Sequence, residues 1–278
     1  SSRLCFDYRE LNELVKRRNG GLDSYAMPDE DTLRHQFTDA RVFSTMDALS
    51  GYWQIRVKEE DIPKTAVRTP LGSFEMLVMG FGHARAPAHF QKWMSHVLAP
   101  FLHRFAVVFI DDVCIYSRTV EEHQEHLRLV MERMRELQVK LRRSKCRFYQ
   151  AQVEFLGHRI GAGVVTPVQD KLAAVRQWPQ PVTKKQLRGF LGLSGYYCDF
   201  IQGYSEMAAP LTNLSRDEAD VVSDWDESCT RAFERMKLAL TSAPVLRLAD
   251  SSKPYLVYVD ASETAVGAVL MQRDDDGR

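Results

Sequence analysis

No stretch of this sequence approaches the ~20 apolar residues needed to cross a bilayer, and no signal-peptide pattern is present. A membrane partner is therefore not expected, and the chain reads as intracellular. Its five cysteines, at 5, 114, 146, 198 and 229, include no Cys-x-x-Cys pair and no zinc spacing. A zinc module and a disulfide scaffold are excluded, and reduced thiols in a cytosolic setting are expected. Neither sign of charge prevails, because 37 basic and 37 acidic residues cancel. Overall charge thus announces no nucleic-acid partner, and such contact has to come from a local patch. Repeats and low-complexity tracts are missing as well.

What is present suits a large enzyme. A chain of 278 residues, 45% of them hydrophobic, supports a sizeable core and two or three subdomains. Strand-like runs at 42–47, 64–69, 74–79 and 105–116 alternate with helical patterns, which predicts an α+β sheet domain over roughly the first 160 residues. One helix is expected at 86–104 behind Pro87, and another behind the capping box Thr119-Val-Glu-Glu122. Leu127, Val130, Met131, Met134 and Leu137 would form the sheet-facing stripe of the latter. From Pro167 onward the pattern turns helical, at 168–178, from Thr183-Lys-Lys-Gln186, and at 227–241, with a polar loop from Ser215 to Asp226. The last apolar segments, Lys253 to Ser262 and Ala265 to Gln272, read as a β-hairpin.

The chemistry is concentrated in Phe105-Ala-Val-Val-Phe-Ile-Asp-Asp-Val-Cys-Ile-Tyr116, where Asp111 and Asp112 interrupt an apolar, β-branched run. Burying an ionised carboxylate is costly unless it is paired or bound to a metal. A hard divalent cation is the natural counter-charge. Arg41-Val-Phe-Ser-Thr-Met-Asp47 has the same character. If 42–47 and 105–110 lie side by side, Asp47 and Asp111 meet at one edge and can bridge two metals roughly 3.5–4 Å apart, as phosphoryl transfer requires. Asp-Asp also suits a hairpin turn. A basic segment, Lys140-Leu-Arg-Arg-Ser-Lys-Cys-Arg-Phe-Tyr149, carries five cations, no acid and two aromatics, and suits phosphate contact with stacking or, equally, a solvated basic face.

Several ordered blocks then share a likeness: Arg3 to Asn12, Phe43 to Tyr52, Lys64 to Thr69, Met79 to Gln91, Phe109 to Asp112, Lys145 to Phe148, Phe155 to His158 and Phe190 to Tyr197. Together they resemble the reverse transcriptases of gypsy-like long-terminal-repeat retrotransposons and, more distantly, of retroviruses. The resemblance implies an α+β right-hand polymerase. Residues 1–160 would form fingers, begun part-way through, and palm; 161–245 a helical thumb and connecting region; and 246–278 the first hairpin of a ribonuclease H-like domain. The implied activity is RNA-directed DNA polymerisation with two Mg2+ ions, or Mn2+. The implied partners are an RNA or DNA template with a DNA primer, deoxynucleoside triphosphates and other parts of the retrotransposon polyprotein. Cytoplasm, virus-like particles and nucleus are the implied compartments. A catalytically silent, domesticated nucleic-acid-binding remnant is the rival reading.

The resemblance also assigns residues. Asp47 and Asp111 would bind the metals, and Asp112 beside them is the third expected ligand, a less direct one because adjacent residues of one strand face opposite ways. Lys145 would protonate the leaving pyrophosphate or contact a phosphate. Arg3 would grip the triphosphate, Tyr52 would crowd the sugar 2′-position, and Phe81 and Gly82 would form the turn under the base, glycine allowing close backbone approach. Phe155, Leu156, Gly157 and His158 would steady the primer end, or form only a tight turn. Asp260 would be a metal ligand only in a complete ribonuclease H domain, so no RNA cleavage is expected of this chain. Where the family usually reads Met-Pro-Phe-Gly-Leu-Thr-Asn-Ala-Pro, this sequence reads Met79-Gly-Phe-Gly-His-Ala-Arg-Ala-Pro87, which places His83 and Arg85 beside the nucleotide pocket.

Overall fold

The apolar run that ends in Asp47 forms β1 (Val42–Asp47), and it lies in the middle of a sheet because its neighbours supply a ladder on both edges. The computed structural model describes residues 5–18, 25–216, 219–242, 246–249, 253–261 and 266–273. These belong to two units, Ser1–Val153 and Glu154–Arg278.

In the first unit, β4 (Ala106–Phe109), β5 (Asp112–Ser117), β1 and β6 (Arg147–Gln150) form an antiparallel sheet in the order β4-β5-β1-β6. The expected single strand over 105–116 is therefore a hairpin, broken at Ile110 and Asp111. The expected pairing of 42–47 with 105–110 is corrected too: β5 intervenes, and Asp47 stands opposite Asp112. The sheet is backed by α3 (Ala86–Leu98) and α4 (Val120–Glu136). Met46, Val108, Val113 and Ile115 meet Phe90, Met94, Val97, Leu127, Val130 and Met134 in one buried cluster. Each such side chain contributes about 1.5–3 kcal/mol by leaving water.

Helix boundaries follow local chemistry. α3 stops at Leu98 rather than 104, because Pro100 offers no N–H to continue it. α4 starts at its Thr119 cap, whose side chain accepts from the Glu122 N–H at 3.2 Å. Its buried stripe is His123, Leu127, Val130 and Met134, whereas the expected Met131 and Leu137 are exposed. The expected strand at 64–69 is shortened to β2 (Val67–Thr69), because a 3-10 turn, Glu59–Thr65, holds its first residues. It pairs with β3 (Gly72–Phe74). Of the expected strand at 74–79 only Phe74 joins β3; the Met76 N–H donates to the Thr65 hydroxyl at 2.8 Å, and Val78 makes an isolated antiparallel bridge with Arg56. Two further helices, α1 (Arg9–Arg18) and α2 (Glu30–His35), were not anticipated.

The second unit contains the sheet β10-β9-β8-β7, built from β7 (Val153–Phe155), β8 (His158–Gly161), β9 (Val164–Pro167) and β10 (Leu246–Arg247). Its helices are α5 (Gln169–Arg176), α6 (Lys184–Tyr196), α7 (Tyr204–Leu214) and α8 (Glu227–Thr241). Phe190 of α6 and Phe233 of α8 pack with ring centroids 4.6 Å apart. The expected terminal hairpin is present as β11 (Leu256–Ala261) and β12 (Val266–Met271), in antiparallel register. Among the described residues no helix is long and apolar enough to cross a membrane.

Candidate active site

Two structural devices gather the acidic residues. The β1–β5 ladder sets Asp47 and Asp112 directly across from each other, and residues paired in this way point to the same side of the sheet. That side is opposite the core face, where the preceding pair, Met46 and Val113, is buried. The sequence argument that Asp112 faces away is thus corrected, because Asp111 lies in the turn and Asp112 opens the next strand. Although Asp112 still meets solvent, its carboxyl titrates above the usual range. Partial loss of water is the largest cause, followed by repulsion from Asp111 and Asp47, against a smaller pull from Lys145.

Pairing of β6 with β1 brings in the cations. The 3-10 turn Arg143–Lys145 immediately precedes β6, and Lys145 Nζ donates to Asp47 Oδ2 at 2.8 Å. The Arg142 N–H donates to the Asp47 carbonyl at 2.9 Å, and Arg142 Nε lies 3.8 Å from Asp47 Oδ1. Asp47 is only 17% exposed at its side chain. Asp47, Asp111, Asp112 and Lys145 therefore share one corner of the first unit.

The donors of this corner match what magnesium takes. Among the described residues no three His, Cys, Asp or Glu side chains converge into a ready cage. Magnesium does not need one, since it is usually held by one or two carboxylates with substrate phosphates completing the shell. The oxygen-only donors and the mutual repulsion felt at Asp112 fit such an ion.

Beneath the turn lies a residue that the sequence reading passed over. Gln91 of α3 is fully buried, and its Oε1 accepts from the Ile110 N–H at 2.5 Å. A polar residue at helical spacing from Met94 and Leu98 was the available signal. A second missed group is a buried network behind the sheet. Ser44 Oγ and Ser117 Oγ lie 2.7 Å and 2.8 Å from the two ring nitrogens of His123, and Ser117 Oγ also lies 2.8 Å from His126 Nδ1. Burial pushes His123 down to about 4, with repulsion from His126 adding to it.

The expected nucleotide-contact residues are adjacent. Tyr52 packs against Phe81 and Phe90, with centroid separations of 5.2 Å and 5.6 Å. Gly82 has φ of 105°, and a Cβ there would lie 2.0 Å from the Phe6 carbonyl oxygen. Its lack of a side chain is thus required by the chain's own backbone. Asn12 ties this turn to α1, donating to the Gly82 carbonyl at 3.0 Å and accepting from the Ala84 N–H at 2.9 Å. His83 accepts from the Arg85 N–H at 3.3 Å and lies near His89, and burial lowers both imidazoles. Arg3 lies outside the described residues.

The expected primer-contact residues lie in the second unit. Leu156 and Gly157, at φ 47° and 74°, make the two-residue turn between β7 and β8. Tyr197 donates to the Gly157 carbonyl at 3.1 Å, Tyr196 donates to the Leu156 carbonyl, and His158 Nδ1 lies 2.9 Å from that same carbonyl. Phe155 and His158 are buried. Asp260 sits on β11 opposite Gly267, in an exposed position.

Comparison with known proteins identifies the family of the chain. Residues 1–160 match the reverse transcriptase (RNA-dependent DNA polymerase) family, and residues 225–278 match the RNase H-like domain found in reverse transcriptase. The transposon Tf2-3 and Tf2-7 polyproteins of Schizosaccharomyces pombe are each 38% identical over 276 residues, covering 99% of this chain and 20% of theirs. The chain thus spans about a fifth of the length of these curated relatives. The foamy viral protease-reverse transcriptase dRH in complex with double-stranded DNA superposes with a TM-score of 0.80 at 22% identity, over 99% of this chain and 47% of that one. A second structure, the foamy viral protease-reverse transcriptase with double-stranded DNA, gives 0.78 at 23%, over 97% and 55%. At these identities the likeness shows an α+β polymerase fold. With the sequence relatives and a family match over more than half of its length, the chain belongs to the reverse transcriptase (RNA-dependent DNA polymerase) family, as found in retrotransposon polyproteins.

Proposed function

We propose that this chain is the RNA-directed DNA polymerase segment of a long-terminal-repeat retrotransposon polyprotein, extending a DNA primer on an RNA or DNA template with deoxynucleoside triphosphates. The observation that carries the reading is the corner where the β1–β5 ladder and its turn gather Asp47, Asp111 and Asp112 beside Lys145. Asp47, Asp111 and Asp112 hold two magnesium ions in this reading, and manganese suits the same oxygen donors. What bound metal supplies there is Lewis-acid activation of the primer 3′-hydroxyl and charge neutralisation on the triphosphate.

The chain's own groups do the rest. Lys145 leaves Asp47 to give a proton to the departing diphosphate. Tyr52, fixed between Phe81 and Phe90, crowds the sugar 2′-position, while Phe81 and Gly82 lie under the base and Arg3 grips the triphosphate. Exposed Arg143, Arg147, Phe148 and Tyr149 contact template or primer through phosphate pairing and stacking. Phe155, Leu156, Gly157 and His158 steady the primer end, and their ties to Tyr196 and Tyr197 support a rigid turn. Residues 1–160 are assigned to fingers and palm, 161–245 to thumb and connection, and 246–278 to the ribonuclease H-like region, where Asp260 is the metal ligand of a complete domain. Other polyprotein segments are the expected partners. Five free thiols, three of them buried, support an intracellular setting, in cytoplasm, virus-like particles or nucleus.

Primer extension on an RNA template, with magnesium present and then chelated, tests this reading. Extension that requires both magnesium and the RNA template is expected. Template binding without extension, in any divalent metal, would leave only a silent nucleic-acid-binding module.

A further inference from the structure

The turn that carries Asp111 is held from below by a single buried amide. Gln91 lies on α3 among Phe90, Met94, Val97 and Leu98, all buried, and is itself 0% exposed. Its side chain reaches two residues of the β4–β5 hairpin: Oε1 accepts from the Ile110 N–H at 2.5 Å, and Nε2 donates to the Val108 carbonyl at 3.2 Å. The other amide hydrogen is taken by Ser95 Oγ, at 3.1 Å. Acceptor and both donors are thus used.

Ile110 explains why such a tie is needed. It follows Phe109, which pairs with Asp112 as the last rung of the ladder, and it has φ of 53°. A β-branched residue in the left-handed region is strained and persists only where its surroundings enforce it. A Met or Leu would fill the same core space without the cost of burying an amide. The amide is therefore explained by its hydrogen bonds to the turn rather than by packing.

We infer that Gln91 is a positioning residue for the polymerase reaction, holding Ile110 in its left-handed conformation so that Asp111 and Asp112 are presented together toward Asp47. The inference rests on the reading of these carboxylates as metal ligands. Gln91 touches no reacting atom, and its influence passes through the backbone of the turn.

The test compares the whole chain with Gln91→Met, which keeps length and volume and removes all three hydrogen bonds. Mn2+ binding is followed by electron paramagnetic resonance, alongside kcat, KM for deoxynucleotide, template–primer Kd and thermal midpoint. Losses of about 10- to 100-fold in Mn2+ affinity and in kcat are expected, with template–primer Kd unchanged. A variant that binds Mn2+ and turns over like the parent would overturn the inference, as would a lower thermal midpoint with both values intact. If Gln91→Met does not fold, Gln91→Asn is the second variant, since its shorter side chain falls short of the Ile110 N–H. Weakened Mn2+ binding there supports the inference, and parent-like binding overturns it. A parent chain that itself binds no Mn2+ would instead sink the metal-site reading on which the inference stands.

Discussion

At position 82 a side chain has no room. The backbone of Gly82 lies against that of Phe6, and the Phe6 N–H donates to the Phe81 carbonyl at 3.1 Å. A Cβ at position 82 would meet the Phe6 carbonyl oxygen at 2.0 Å, and φ of 105° is unfavourable for any other residue. Gly82→Ala is expected to destabilise the first unit by about 2 kcal/mol or more, read as a lower midpoint in chemical denaturation, and to weaken deoxynucleotide binding by displacing Phe81. An unchanged midpoint would show that the strain is relieved locally. The resemblance reads this glycine as allowing close approach to a nucleotide, whereas the approach seen in the chain is to Phe6, which was not legible. Phe6 lies far away in sequence, and nothing in either segment says that they touch.

At the scale of elements, α4 and the two central strands are joined by the buried Ser44–His123–Ser117 network. His123 titrates near 4, below the ordinary 6.5, because burial disfavours its charged form. Folded and unfolded chains therefore hold the same proton count above about pH 6.5, and between about 6.5 and 4 the unfolded chain binds the extra proton. Stability is accordingly complete above this window and falls as pH drops through it, by up to about 3 kcal/mol. His126, also lowered by burial, adds in the same direction. Urea midpoints between pH 7 and pH 4 should fall more steeply for the parent than for His123→Gln, and equal slopes would remove His123 from the account. The aspartates were legible in the sequence because they interrupt apolar runs. The order of the strands was not. The hairpin turns on Ile110 and Asp111: the turn propensity of aspartate is one of two readings there, Ile110 carries no such signal, and the tertiary tie from Gln91 is what makes that turn acceptable. The helix Tyr204–Leu214 escaped notice for a related reason, since Pro210 lies inside it.

At the scale of the whole molecule, the reverse transcriptase match over 1–160 and the RNase H-like match over 225–278 fit a polymerase region followed by a nuclease-like one. Within the first unit, β5 and β6 flank β1, so carboxylates and cations far apart in sequence converge on one corner. The central claim is that this corner performs metal-dependent DNA synthesis, and removing one carboxylate while keeping its shape tests it most directly. Primer extension by the parent chain and by Asp111→Asn should be measured on the same RNA template and DNA primer in magnesium, with template–primer affinity determined in parallel. The account predicts extension by the parent, a loss on the order of 1,000-fold in the variant, and equal affinity for template–primer. An Asp111→Asn chain that extends primers at the parental rate would contradict it.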